Sequence, residues 1–115
     1  MDQARPDALM MVTDALTTLN RQRVRDYATR RRLPDMYELS SLVRAGGLVS
    51  YGSSEDENFR LAAAAAVRVL QGARPGDVPA GQPVQYVLAV NRATARALDL
   101  VVPQSVLLQA QEVID

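Results

Sequence analysis

Short apolar runs in this chain alternate with longer segments whose apolar residues recur near the helical period. The first run, Ala8-Leu-Met-Met-Val12, is continuous and ends at Thr13-Asp14. Such a run suits a strand covered on both faces, as in a parallel sheet. From Ala15 to Arg32, Leu16, Leu19, Val24, Tyr27 and Ala28 mark one side of a predicted helix. Asn20 offers a later start for it, and Leu33-Pro34 closes it, because a residue before proline avoids helical angles. Met36-Tyr37-Glu38 predicts a short strand, Leu39 to Ala45 a short helix closed by Gly46-Gly47, and Leu48 to Tyr51 a strand stopped by Gly52.

Ser54-x-x-Glu57 has the spacing of a capping box and opens the clearest helix, which ends at Gly72. The stretch from Ala73 to Pro83 is rich in Pro and Gly and reads as a loop. Val84 to Val90 predicts a strand, and Asn91 caps a short helix through Leu98. Pro103 starts a last helix, with Leu107, Leu108, Val113 and Ile114 on its apolar side. The alternation of strands and helices predicts an α/β fold, one domain over residues 1–115, with a mainly parallel sheet flanked by helices.

In such sheets ligands bind beyond the carboxyl ends of the strands. Thr13-Asp14, Tyr37-Glu38 and Tyr51-Gly52 each follow a predicted strand, so the three pairs share an address on one rim. Each pair also has a plainer reading. Thr13 or Asp14 caps the next helix, Glu38 begins one, and Tyr51-Gly52 is a strand end followed by a turn. An enzyme reading would use Asp14 and Glu38 as the acids, with Tyr51 as a proton donor, and nothing supplies a nucleophile or an oxyanion hole.

Composition narrows the chemistry. The 115 residues include 13 basic and 13 acidic ones, and every basic residue is arginine. Without lysine there is neither a P-loop nor a Schiff base. Without Cys or His, thiol nucleophiles, the usual zinc sites and histidine triads are excluded, and we expect no metal and no cofactor. Aromatic residues are only 4%, which disfavours a stacking platform for single-stranded nucleic acid. Arg21, Arg23, Arg25, Arg30, Arg31 and Arg32 lie on one helix. In a chain of zero net charge they read as a solvated face rather than a nucleic-acid site.

No apolar stretch approaches the roughly 18–20 residues that span a bilayer. The N-terminus lacks the pattern of a signal peptide, so the sequence as written points to the cytoplasm. Leu61 to Leu70, "LAAAAAVRVL", is apolar around most of its circumference. It is either a core helix or an interface to another chain, including a second copy of this one.

From Gly46 to Ile114 the residues follow one family's order. "GGLVSYG" is followed by a long helix ending in "LQGARPGDVP", then "QP", a strand running into "NRATARALDL", and "PQSVLLQAQEVI". Upstream stand "RPDALMMVTD" and "RRRLPDMYE". Together these resemble the C-terminal part of ABC transporter substrate-binding proteins of the tryptophan or tyrosine uptake type. The resemblance implies a type I periplasmic-binding-protein fold, in which two α/β lobes close on a small ligand and present it to a membrane permease. It implies a non-enzymatic, extracytoplasmic solute-binding role with an amino-acid-like ligand.

Carried over residue by residue, it places Asp14 at an acidic, cleft-facing position, with Thr13 beside it. Ala15 stands where relatives often have Asn. Tyr37, Glu38, Tyr51 and Gly52 fall on the family's "Y-E" and "Y-G" positions, and Asp99 stands where Gly is common. The family's full chain is more than twice as long, so the sequence reads as a truncated second lobe, a fragment, or a short stand-alone derivative. Its helix over residues 56–72 would then pack on the absent first lobe, and one lobe alone would bind weakly.

Overall fold

The computed structural model describes residues 6–115. The extreme N-terminus that entered the reading for a signal peptide lies partly outside them. The elements run β1 (Leu9–Met10), α1 (Ala15–Leu19), α2 (Arg21–Arg31), β2 (Asp35–Tyr37), α3 (Ser40–Arg44), β3 (Val49–Ser53), α4 (Glu55–Leu70), a 3-10 turn (Pro75–Asp77), β4 (Tyr86–Asn91), α5 (Arg92–Ala97), α6 (Gln104–Gln109) and β5 (Glu112–Ile114). This is the expected α/β architecture, built on a five-stranded sheet in the order β1-β2-β3-β4-β5.

Three strand pairs are parallel. Met10 aligns with Met36 and Met36 with Val49, while Val90 aligns with Val113. The β3–β4 pair is different. Asn91 N–H donates to Leu48 O, and Ser54 N–H donates to Gln85 O. Partners that rise in one strand while falling in the other define an antiparallel pair. The carboxyl ends of β1, β2 and β3 therefore share one edge of the sheet, and β4 and β5 end at the opposite edge.

Two compact units emerge from the contacts. Among the described residues, one comprises 6–52 and 87–115, the other 53–86. In the first, the pleat sorts side chains by parity. Met11, Tyr37 and Ser50 point to one face and are buried. Met10, Val12 and Tyr51 fall on the other face and are exposed. Met11, Tyr37 and Leu42 form the center of the core, with Leu9, Val24 and Leu39 packed against them. The second unit consists of α4, the 3-10 turn and the flanking segments. No residue of α4 is buried, and Phe59 and Leu70 are 74% and 86% exposed.

Several local expectations change. The long helix breaks at Asn20, whose side-chain amide donates to Leu16 O rather than capping α2. Val113 and Ile114 belong to a strand, not to the last helix, because that segment pairs with β4. Ser54 does cap α4 by accepting from Glu57 N–H. The Glu57 carboxylate, however, accepts from the backbone N–H groups of Val84 and Gln85, so the reciprocal half of that box is absent. α2 and α5 end alike. Leu33 N–H donates to Ala28 O and Leu100 N–H to Ala95 O, with Arg32 (φ 53°) and Asp99 (φ 59°) in the left-handed region between.

Candidate functional site

At the carboxyl edge of β1–β3 the chain builds a short rim from three strand tips. β1 ends by passing its ladder on: Met11 N–H donates to Met36 O. Two positions on, the Thr13 N–H donates to Glu38 Oε2 at 2.9 Å. Glu38 thus joins the tips of β1 and β2, across 25 positions of sequence. On its other side, Gly52 runs against the Glu38 backbone. A Cβ at position 52 would lie 2.1 Å from the Glu38 carbonyl oxygen, so only glycine fits. Thr13, Glu38 and Gly52 are therefore brought together directly.

Asp14 stands at the same edge, with its side chain turned to its own helix. Its Oδ1 accepts from Thr17 N–H at 2.7 Å, and Thr17 Oγ1 accepts from Asp14 N–H at 2.9 Å. This is a complete capping box. Thr17 Oγ1 also donates to Val12 O at 2.8 Å, which ties the turn back to the strand. The Thr17 N–H bond holds the Asp14 carboxyl below the usual aspartate range. The plainer reading of Asp14 as a cap is what the geometry displays, and Oδ2 takes no part in these bonds.

Tyr51 is 53% exposed, on the same sheet face as Val12 and Glu38. Tyr37 lies elsewhere. Its ring is buried in the core, and its hydroxyl donates to Asp35 Oδ2 at 2.7 Å. Burial and the adjacent Asp35 push the phenol's pKa up, so it stays protonated. A strand-tip address does not make Tyr37 a rim residue, because the pleat points its side chain inward.

Sequence reasoning missed Asp35. It is 6% exposed, and its Oδ1 accepts from Leu48 N–H at 2.7 Å while Oδ2 takes the Tyr37 hydroxyl. It latches the start of β2 to the start of β3, at the edge opposite the rim. The only signal was a carboxylate directly after Pro34 and before an apolar pair. Thr13 Oγ1 is also enclosed, with no hydrogen-bond partner among the described residues. Several arginines are engaged within the protein. Arg21 donates to Thr18 O, Arg25 to Ala45 O, and Arg31 lies over the Tyr27 ring.

The sequence matches the family described as "ABC transporter substrate binding protein" over residues 3–114. The chain belongs to this family. Solved structures agree in fold. An ABC-domain protein from Streptococcus pneumoniae, in complex with L-Trp, superposes with a TM-score of 0.85 at 25% identity, covering 96% of this chain and 38% of that one. A conserved domain protein from Vibrio cholerae gives a TM-score of 0.83 at 20% identity over 95% of this chain and 37% of that one. The ligand-free, open structure of a substrate-binding protein with adhesive properties from Clostridium difficile gives 0.58 at 22% identity, covering 94% and 36%. A comparison with curated proteins gave no match.

The chain thus spans little more than a third of the solved structures that it matches. The family is one of substrate-binding proteins. No helix among the described residues is long and apolar enough to cross a membrane.

Proposed function

We propose that this chain contributes one wall of a solute-binding site for an amino-acid-like ligand, within an ABC uptake system that acts outside the cytoplasmic membrane. The observation that carries the reading is the rim itself: Thr13, Asp14, Glu38, Tyr51 and Gly52 gather at the carboxyl edge of three parallel strands. That is the edge where α/β sheets bind ligands. Asp14 supplies an anionic oxygen for a ligand amine. Tyr51 supplies an exposed ring against which an apolar or aromatic side chain rests. The family match and the relative crystallised with L-Trp support the ligand class. A permease is the partner that such a role requires.

A single wall buries little of a ligand, so affinity is low, of the order of millimolar. The reading is tested by titrating the chain with a panel of amino acids while following its amide resonances. Aromatic amino acids should move the rim resonances. A panel that leaves all of them unmoved contradicts the proposal.

A second reading rests on α4. Its residues 59, 63, 66 and 70 are Phe, Ala, Ala and Leu, all exposed and all on one stripe at i, i+4, i+7 and i+11. Such a stripe fits a packing partner: either a further lobe, as the longer relatives provide room for, or a second copy of this chain. In the second case the chain is a homodimerising interaction module. Sedimentation over a wide concentration range, with Leu70→Lys as control, decides this. A monomer throughout rules out the module.

A further inference from the structure

We propose that Glu38 is a positioning residue for the rim, one that sets the Thr13–Asp14 turn and does not itself receive the ligand's amine. This rests on the amino-acid-site reading above and assigns different work to two carboxylates that stand at the same edge.

Four observations converge on it. First, Glu38 Oε2 is already occupied, accepting the Thr13 N–H at 2.9 Å in a half-buried setting. A ligand ammonium taking that oxygen would strip Thr13 of its acceptor, and a partly enclosed N–H without a partner is costly. Second, Thr13 immediately precedes the N-cap. Anchoring its N–H fixes the peptide from which Asp14 departs in its extended conformation (φ −142°, ψ 178°). Third, the same turn is held from the helix side, where the Thr17 hydroxyl donates to Val12 O. Glu38 supplies the opposing hold from the next strand. Fourth, the Glu38 main chain has no freedom toward β3, because Gly52 lies against its carbonyl. The position of β3 is thereby passed through Glu38 to the turn that carries Asp14.

The chemistry separates the two roles. Holding Thr13 needs an acceptor oxygen at the end of a four-atom reach, and charge is secondary. Receiving an amine needs charge, and reach is secondary. Glu38→Gln keeps the reach and loses the charge. Glu38→Asp keeps the charge and shortens the reach by one methylene.

The experiment measures amide hydrogen exchange at Thr13 in the ligand-free chain, and the L-tryptophan response of the Asp14 and Tyr51 resonances, for the wild type and the Gln, Asp and Ala variants. Expected: Glu38→Gln keeps Thr13 protection and stays within about twofold of wild type in L-tryptophan affinity. Glu38→Asp and Glu38→Ala lose Thr13 protection and weaken binding by about tenfold, as loss of one hydrogen bond would do. If Glu38→Asp binds like wild type and Glu38→Gln does not, the carboxylate contacts the ligand and the proposal is overturned. Unchanged Thr13 exchange in Glu38→Ala overturns it as well. If the wild type shows no response to L-tryptophan, the amino-acid reading falls and takes the ligand half of the proposal with it. The exchange measurement then still decides whether Glu38 holds the turn.

Discussion

Tyr37 donates its hydroxyl hydrogen to Asp35 at 2.7 Å, from within the core and two positions along the same strand. The same carboxylate receives Leu48 N–H at 2.7 Å, so one buried side chain closes the amino ends of β2 and β3. Gly47 makes room for this arrangement. A Cβ there would sit 2.5 Å from the Tyr37 ring.

Removing the carboxylate strands two buried donors, each worth about 1–3 kcal/mol. Asp35→Ala is therefore expected to destabilise by about 2–6 kcal/mol in denaturant unfolding. Tyr37→Phe should cost less, because Leu48 keeps its acceptor. In the double variant Asp35→Ala/Tyr37→Phe the two effects should sum to less than their separate values, since one shared bond is removed only once.

Gly52→Ala probes the rim from its backbone. The added methyl meets the Glu38 carbonyl oxygen, so the main chain of β2 or β3 must shift. Expected is a loss of about 1–3 kcal/mol. Amide shifts should concentrate at Glu38 and Thr13 rather than in residues 53–86.

Asp14 predicts a pH dependence. Its carboxyl is held below the ordinary 3.8 by the Thr17 N–H bond. A group depressed in the folded state contributes fully above its unfolded value and loses that contribution as pH falls through the folded one. Asp14→Ala should thus lower the Tm at neutral pH, and by less than Asp35→Ala. The gap between variant and wild type should close as pH is taken below 3.8. Asp14→Asn, which still caps, should show a smaller gap at neutral pH.

Arg32 and Asp99 form an ion pair at 2.6 Å, each from a left-handed helix-terminal position. Both side chains are largely exposed, which limits the pair to about 0–1 kcal/mol. The backbone conformation costs a non-glycine residue about 1–2 kcal/mol. Asp99→Gly is expected to be neutral or to raise stability by up to about 1 kcal/mol, measured by thermal unfolding.

The sequence exposes some of this and hides the rest for physical reasons. Ala8–Val12, Met36–Glu38 and Leu48–Tyr51 read as strands because their apolar runs are short and bounded. Ser54 announces α4 because an N-cap acts locally. Val113 and Ile114 misled because two apolar residues after a helix fit either period, and only their partners in β4 choose strand. The capping box sits at Asp14 and Thr17 rather than at Ser54 and Glu57, since Glu57 finds the distant N–H groups of Val84 and Gln85. Asp35 was invisible for a similar reason. A lone buried carboxylate leaves no periodic trace, and its value lies in Leu48 and Tyr37. For the rim, the strand-tip rule puts Thr13, Glu38 and Gly52 at one edge, but their mutual contacts join residues far apart in sequence and leave no local trace.

The most direct test of the account is the L-tryptophan titration of the chain itself, followed at individual backbone amides. The account predicts saturable shifts at Thr13, Asp14, Glu38, Tyr51 and Gly52 with a Kd of the order of 1 mM. It also predicts that Asp14→Ala abolishes them while the rest of the spectrum stays folded. Shifts confined to other residues, or none at these five up to ligand saturation in solution, would contradict it.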